Sequence, residues 1–222
     1  MKETTAKELV FFGKITAGFT HEMKNILAII KESSGLMEDL LSLSKDAPFP
    51  HFDRFSHRVT VIQQQVQRGV ELAARLNRFA HSTDERLARI DLNDLAEQLT
   101  KLSERFARLK DIGLSVRPAE SSVVLITSPV ELQMAVFTLL ESCWNQLPAG
   151  SEIELSVERR GQDPCINICF TGEIADCSKL MQKIEATDAI KTVREILDPL
   201  GIEIMQENEM CGYGLAFVGA KE

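Results

Sequence analysis

One tryptophan, Trp144, serves 222 residues, and no apolar run approaches the roughly 20 residues that a membrane span needs. Short runs such as Val123 to Ile126 have the length of strands. Met1-Lys2-Glu3 does not begin a signal peptide, so a cytoplasmic protein without membrane contact is expected. The five cysteines (Cys143, Cys165, Cys169, Cys177, Cys211) form an odd set without a C-x-x-C pair. That spacing disfavours a metal site and predicts reduced, mostly buried thiols. No P-loop, zinc pattern, Ser/His/Asp arrangement, internal repeat or low-complexity segment is present. The net charge of -8 argues against a nucleic-acid partner, which would demand clustered Lys and Arg.

Charge is unevenly spread. Residues 1–83 hold 11 Lys+Arg against 9 Asp+Glu, whereas residues 84–222 hold 14 against 24. With 44% hydrophobic residues, the chain can build a sizeable core, and the change of character near residue 84 divides it into two domains, 1–83 and 84–222.

From about Thr5 to Ser44, Phe12, Ile15, Phe19, Met23, Ile26, Ile30, Met37 and Leu40 recur in steps of three and four, with Ser33 in one core slot. Lys45 to His51 carries two prolines and breaks the helix. A second helix runs to about Ser82, with the stripe Phe55, Val59, Ile62, Val66, Val70, Ala73, Leu76 and Phe79 or Ala80. A hairpin on the order of 45–60 Å long cannot bury both stripes alone, so residues 5–83 are expected to form a homodimeric four-helix bundle.

The remainder reads as mixed α/β. Asp84 to Arg89 is a charged link, and Asp91 caps a helix to Arg108. Strands follow at Ile112–Val116 and Ser122–Ile126, then a helix from Pro129 to about Leu147. A hairpin alternates at Ile153, Leu155 and Val157 and again at Ile166, Ile168 and Phe170. Helices at about Cys177–Glu185 and Asp188–Leu197 lead to strands Ile202–Gln206 and Tyr213–Val218. The fold class is therefore α+β, a helical hairpin followed by an α/β sandwich, with Trp144 in a core or domain interface.

Thr20-His21-Glu22-Met23-Lys24-Asn25 places a histidine, a carboxylate and an amide in the first helix. Core positions Phe19 and Met23 flank His21 by two residues each, which turns the imidazole away from the core. Asn25 at i+4 shares its face, and Ala17 and Ala28 keep nearby side chains short. An exposed neutral imidazole is a capable nucleophile at neutral pH, and a carboxylate such as Glu22 can accept its proton. His57 points outward, His81 ends the second helix and His51 lies in the loop; Arg54, Arg58, Arg68, Arg75 and Arg78 give the second helix a basic face that serves solubility or, alternatively, docking to an acidic partner surface.

The stretch Thr20 to Leu27 resembles the phosphoacceptor motif of bacterial sensor histidine kinases, H-E-x-x-N or H-E-x-x-T followed by an apolar residue, here Ile26. The resemblance extends to Gly13 to Gly18, to Leu76-Asn77-Arg78-Phe79-Ala80 and to Ile90-Asp91-Leu92-Asn93-Asp94-Leu95, and covers nearly the whole chain. It implies that residues 84–222 resemble the kinase ATP-binding domain. It further implies His21 as phosphoacceptor, Glu22 as general base and Asn25 as the residue that helps hydrolyse phospho-aspartate on a response-regulator receiver domain.

The second domain departs from the family where nucleotide chemistry resides. The helix with the pattern N-L-x-x-N-A aligns with Thr138-Leu139-Leu140-Glu141-Ser142-Cys143, so Thr138 and Ser142 replace both asparagines. The motif D-x-G-x-G aligns with Phe170-Thr171-Gly172-Glu173-Ile174, keeping Gly172 but losing the aspartate that accepts the adenine amino group. No glycine occurs between Gly172 and Gly201 to build a phosphate loop. ATP is therefore not expected as a cofactor, and magnesium is expected only on the partner receiver. The resemblance points to a phosphotransferase relaying phosphate between His21 and receiver aspartates. Its alternatives are an ATP-dependent kinase with a divergent nucleotide site and a non-enzymatic adaptor that binds a response regulator.

Overall fold

The computed structural model describes residues 2–43, 52–207 and 211–218. Residues 13–81 form one compact unit, and residues 2–12 with the described residues from 82 onward form the other. The proline-bearing break at Lys45 to His51 lies outside the described residues.

The first unit is a hairpin of α1 (Lys2–Leu43), from residue 13 onward, and α2 (Phe52–His81). Ile15, Ile26 and Ser33 are buried on α1, and Phe19, Met23, Ile30, Met37 and Leu40 are half-buried, which follows the expected stripe. On α2 the expected stripe departs from the structure in its middle. Val66, Val70 and Ala73 are exposed, and Gln65, Gly69 and Leu72 face inward between Ile62 and Leu76. A Cβ on Gly69 would stand 3.7 Å from Ile26 Cγ2, an ordinary contact, so Gly69 faces α1 at this level of the hairpin.

In the second unit Phe11, not the neighbouring Phe12, is the buried residue of the first turns of α1. Its ring lies 5.3 Å from Phe137, which meets Phe106 at 5.6 Å and Trp144 at 5.7 Å. Trp144 is thus a core residue. Five strands make a mixed sheet in the order β2 (Gly113–Arg117), β4 (Glu152–Arg160), β5 (Asp163–Thr171), β7 (Gly212–Phe217), β6 (Ile202–Glu207), with only the β2–β4 pair parallel. Its apolar face carries Ile153, Leu155, Ile166, Ile168, Phe170, Tyr213 and Leu215, all buried. Helices α3 (Leu92–Arg108), α4 (Pro129–Trp144) and α6 (Asp188–Leu197) accompany this core, with α3 along β2 and β4 and α6 against β6.

A second small sheet corrects the reading of residues 84–89 as a link. β1 (Ala88–Asp91) pairs antiparallel with β3 (Val124–Thr127). Asp91 then ends β1 and caps α3, accepting from Asn93 N–H at 2.9 Å and from the Ser122 hydroxyl at 2.5 Å. Burial alone would raise its pKa, but Ser122, Asn93 and Val123 donate to the carboxylate and hold it below the usual value. Its contribution to stability is therefore present above the ordinary aspartate pKa and is lost as pH falls through the depressed value.

At Gly212, a Cβ would collide with Ile168 O and lie 3.0 Å from Cys169 Cα on β5. Gly212→Ala is therefore expected to cost about 2–3 kcal/mol by forcing β7 away from β5. Denaturant unfolding checks this; an unchanged midpoint would show that the strands yield freely.

The expectation of reduced cysteines is also corrected. Cys177, the first residue of α5 (Cys177–Glu185), is bonded to Cys211, with 5.7 Å between their Cα atoms. Only Cys143, Cys165 and Cys169 are free buried thiols. The fold brings together two cysteines 34 residues apart, a proximity that no local spacing announces.

Candidate functional site

His21 lies exposed on α1, as its register predicts, between half-buried Phe19 and Met23. One turn on, Asn25 Nδ2 stands 3.3 Å from His21 Nδ1. With Nδ2 donating, Nδ1 accepts and the ring proton resides on Nε2. Turning the amide by 180° offers Oδ1 to an Nδ1–H and leaves the Nε2 lone pair facing solvent. The two amide orientations thus pair with the two imidazole tautomers, and the one that presents Oδ1 leaves Nε2 as the nucleophile.

Glu22 is directed elsewhere. Its carboxylate accepts from Arg68 Nη2 on α2 at 2.9 Å, and its side chain is 13% exposed against 53% for the arginine. Arg68 stood out in the sequence only as one member of a basic face, because its partner lies 46 residues away. His57 is exposed on α2 and lines a cavity of about 370 Å³ with Leu36, Asp39, Leu40, Arg54 and Arg58.

The four positions aligned with nucleotide motifs lie in the α/β unit. Thr138 is half-buried on α4, and Ser142, one turn later, is buried. Ser142 Oγ is 3.0 Å from Thr187 Oγ1, and Thr187 donates its own proton to Ile184 O at 2.7 Å. Ser142 must therefore be the donor in the pair, and its hydroxyl hydrogen serves the junction of α5 and α6. Phe170, 3% exposed, packs edge-to-face on Tyr213 with ring centroids 6.4 Å apart. Gly172 follows at φ 120°, a backbone angle that favours glycine, with its missing Cβ 3.1 Å from Ser151 Cα.

Tyr213, in the sequence only one residue of a strand, is among the largest fully buried side chains. Burial and then the nearby Glu185 carboxylate push its phenol well above the ordinary value. Tyr213 Oη and Glu185 Oε1 are both buried, which places the carboxylate charge beside the phenol. The Phe170 ring offers no acceptor for an adenine amino group, and Ser142 is already engaged. These residues do not fit the nucleotide and magnesium that the motifs hold in kinases. Among the described residues no group of three or more His, Cys, Asp or Glu is placed to hold a metal ion, and no helix is long and apolar enough to cross a membrane.

Comparison with protein-family models and with characterised proteins returns no match. Histidine kinases are among the similar solved structures. The nucleotide-free catalytic domain of histidine kinase ThkA is 16% identical over 60% of this chain and 94% of its own, with a TM-score of 0.49. Acinetobacter baumannii histidine kinase AdeS is 15% identical over 88% of this chain and 95% of its own, at 0.45. ThkA in complex with response regulator protein TrrA is 18% identical, at 0.47, over 94% of this chain and 61% of the kinase chain. Likeness at this level fixes no activity, and His21 and its neighbours must carry any functional reading themselves.

Proposed function

We propose that the protein is a histidine-kinase-like phosphotransferase that moves phosphate between His21 and the aspartate of a response-regulator receiver domain, without using ATP. The observation that carries this reading is a contrast. The His21–Asn25 pair is exposed and ready for an incoming protein, whereas the positions aligned with nucleotide motifs hold a packed phenyl ring and an engaged serine hydroxyl.

In the transfer, His21 Nε2 attacks phosphorus of the receiver's phospho-aspartate, an N–P bond forms, the P–O bond to the aspartyl carboxyl breaks, and the carboxylate leaves. With its amide turned so that Oδ1 accepts from Nδ1–H, Asn25 keeps Nε2 free, and placement of the two groups supplies most of the rate. Glu22 acts as base only after leaving Arg68. The receiver brings its own magnesium.

Incubation with Mg-ATP and, separately, with receivers charged by acetyl phosphate tests this, with acid-labile phosphate on His21 as readout. Label from the receiver alone is expected. Label from ATP would point to an autokinase with a divergent site, and no label from any charged receiver would leave an adaptor.

Dimerisation belongs to the same proposal. Leu27, Leu41, Val66 and Val70 are 50–59% exposed on the hairpin, an apolar face that a second copy of residues 5–83 would cover as a four-helix bundle. Val70→Asp removes burial of about 1.5 kcal/mol from each copy, or roughly a hundredfold in dimer Kd. Light scattering across a dilution series measures it, and an unaltered Kd would place the interface elsewhere.

A further inference from the structure

Three of the five cysteines are chemically quiet. Cys143, Cys165 and Cys169 are buried, and burial raises all three thiols, Cys165 to about 11. Cys177 and Cys211 are instead half-exposed and bonded to each other. Their surroundings are unequal. Cys177 opens α5 beside the N-cap Asp176, which accepts from Lys179 N–H at 3.0 Å and is balanced by the Lys179 ammonium at 3.5 Å. A sulfur at a helix start is stabilised as thiolate by the first-turn N–H groups. Cys211 sits at φ 45°, a left-handed backbone angle unfavourable to any residue with a Cβ, and its carbonyl accepts from Phe170 N–H at 2.9 Å.

We propose that the Cys177–Cys211 bond is a thiol–disulfide exchange site for a dithiol reductant, and that opening it loosens α5 from the sheet. One thiolate of the dithiol attacks Cys211 Sγ, the S–S bond breaks, and Cys177, the better leaving group at its helix start, departs as thiolate and takes a proton. The second thiol of the reductant, deprotonated, attacks the reductant sulfur in the mixed disulfide and displaces Cys211, which is protonated in turn. Two electrons and two protons pass from the dithiol to the cystine, and the reductant leaves as its own disulfide. Without the bond, α5 is held to its unit chiefly by three buried side chains, Leu180, Met181 and Ile184, with Glu185 still paired to Arg194 at 2.8 Å. This inference does not depend on phosphate transfer.

The full chain, oxidised and then treated with millimolar dithiothreitol at neutral pH without denaturant, tests it by mass spectrometry and hydrogen exchange. The 177–211 link is expected to open and α5 amides to exchange roughly tenfold faster. Cys177 in Cys211→Ser should alkylate with iodoacetamide roughly tenfold faster than Cys211 in Cys177→Ser. Both variants should show the fast α5 exchange of the reduced protein with or without reductant. A link that survives reductant in the native protein, free thiols at both positions after oxidation, equal alkylation rates, or a variant that keeps the slow exchange of the oxidised protein would each overturn the proposal.

Discussion

Replacing His21 by alanine is expected to abolish acid-labile labelling from a charged receiver, a loss of about a thousandfold or more, because no other group can take over the nucleophile's role. The same substitution should leave thermal unfolding nearly unchanged. His21 is exposed, and its one described partner is Asn25 at 3.3 Å, so the change falls within about 0.5 kcal/mol. That combination separates loss of chemistry from loss of structure. Asn25→Ala should slow labelling by a smaller factor, roughly tenfold, since it removes orientation and keeps the nucleophile. Undiminished labelling of the alanine variant at position 21 would move the phosphate to another residue and end the proposal.

The hairpin and the α/β unit differ in how plainly their residues announce them. Helices α5 and α6 stand where the apolar spacing places them, and the start of α5 is fixed by the Asp176 side chain, which accepts from Lys179 N–H. The outward direction of His21 is equally local, since two flanking core residues decide it. Other features depend on partners distant in the chain. β1 reads as a charged link because Ala88-Arg89-Ile90-Asp91 has little strand character until Val124–Thr127 pairs with it. In the middle of α2, Gln65, Gly69 and Leu72 face inward in place of Val66 and Val70, and an apolar tally cannot register that a glycine and a glutamine take core-facing positions. The Glu22–Arg68 pair and the Cys177–Cys211 bond join residues 46 and 34 positions apart, and neither leaves a trace in spacing.

Phe170→Ala is expected to cost about 3–5 kcal/mol, since a ring 3% exposed against Tyr213 leaves a cavity that the sheet cannot close. For a chain of this size each kcal/mol lowers Tm by about 2–4 °C, so a fall of roughly 10 °C follows. Phe170→Asp, which places a carboxylate where the kinase motif has one, should fall at least as far, because the acid would be buried beside Tyr213 with no cation assigned to it. Neither variant nor the wild type should gain Tm when Mg-ATP is added. A ligand that binds only the folded state stabilises by RT ln(1 + [L]/Kd), so the absence of a shift at millimolar nucleotide means a Kd weaker than that concentration. A wild-type rise of several degrees would show that a nucleotide enters despite the ring. An alanine variant as stable as wild type would show that Phe170 does not fill the site.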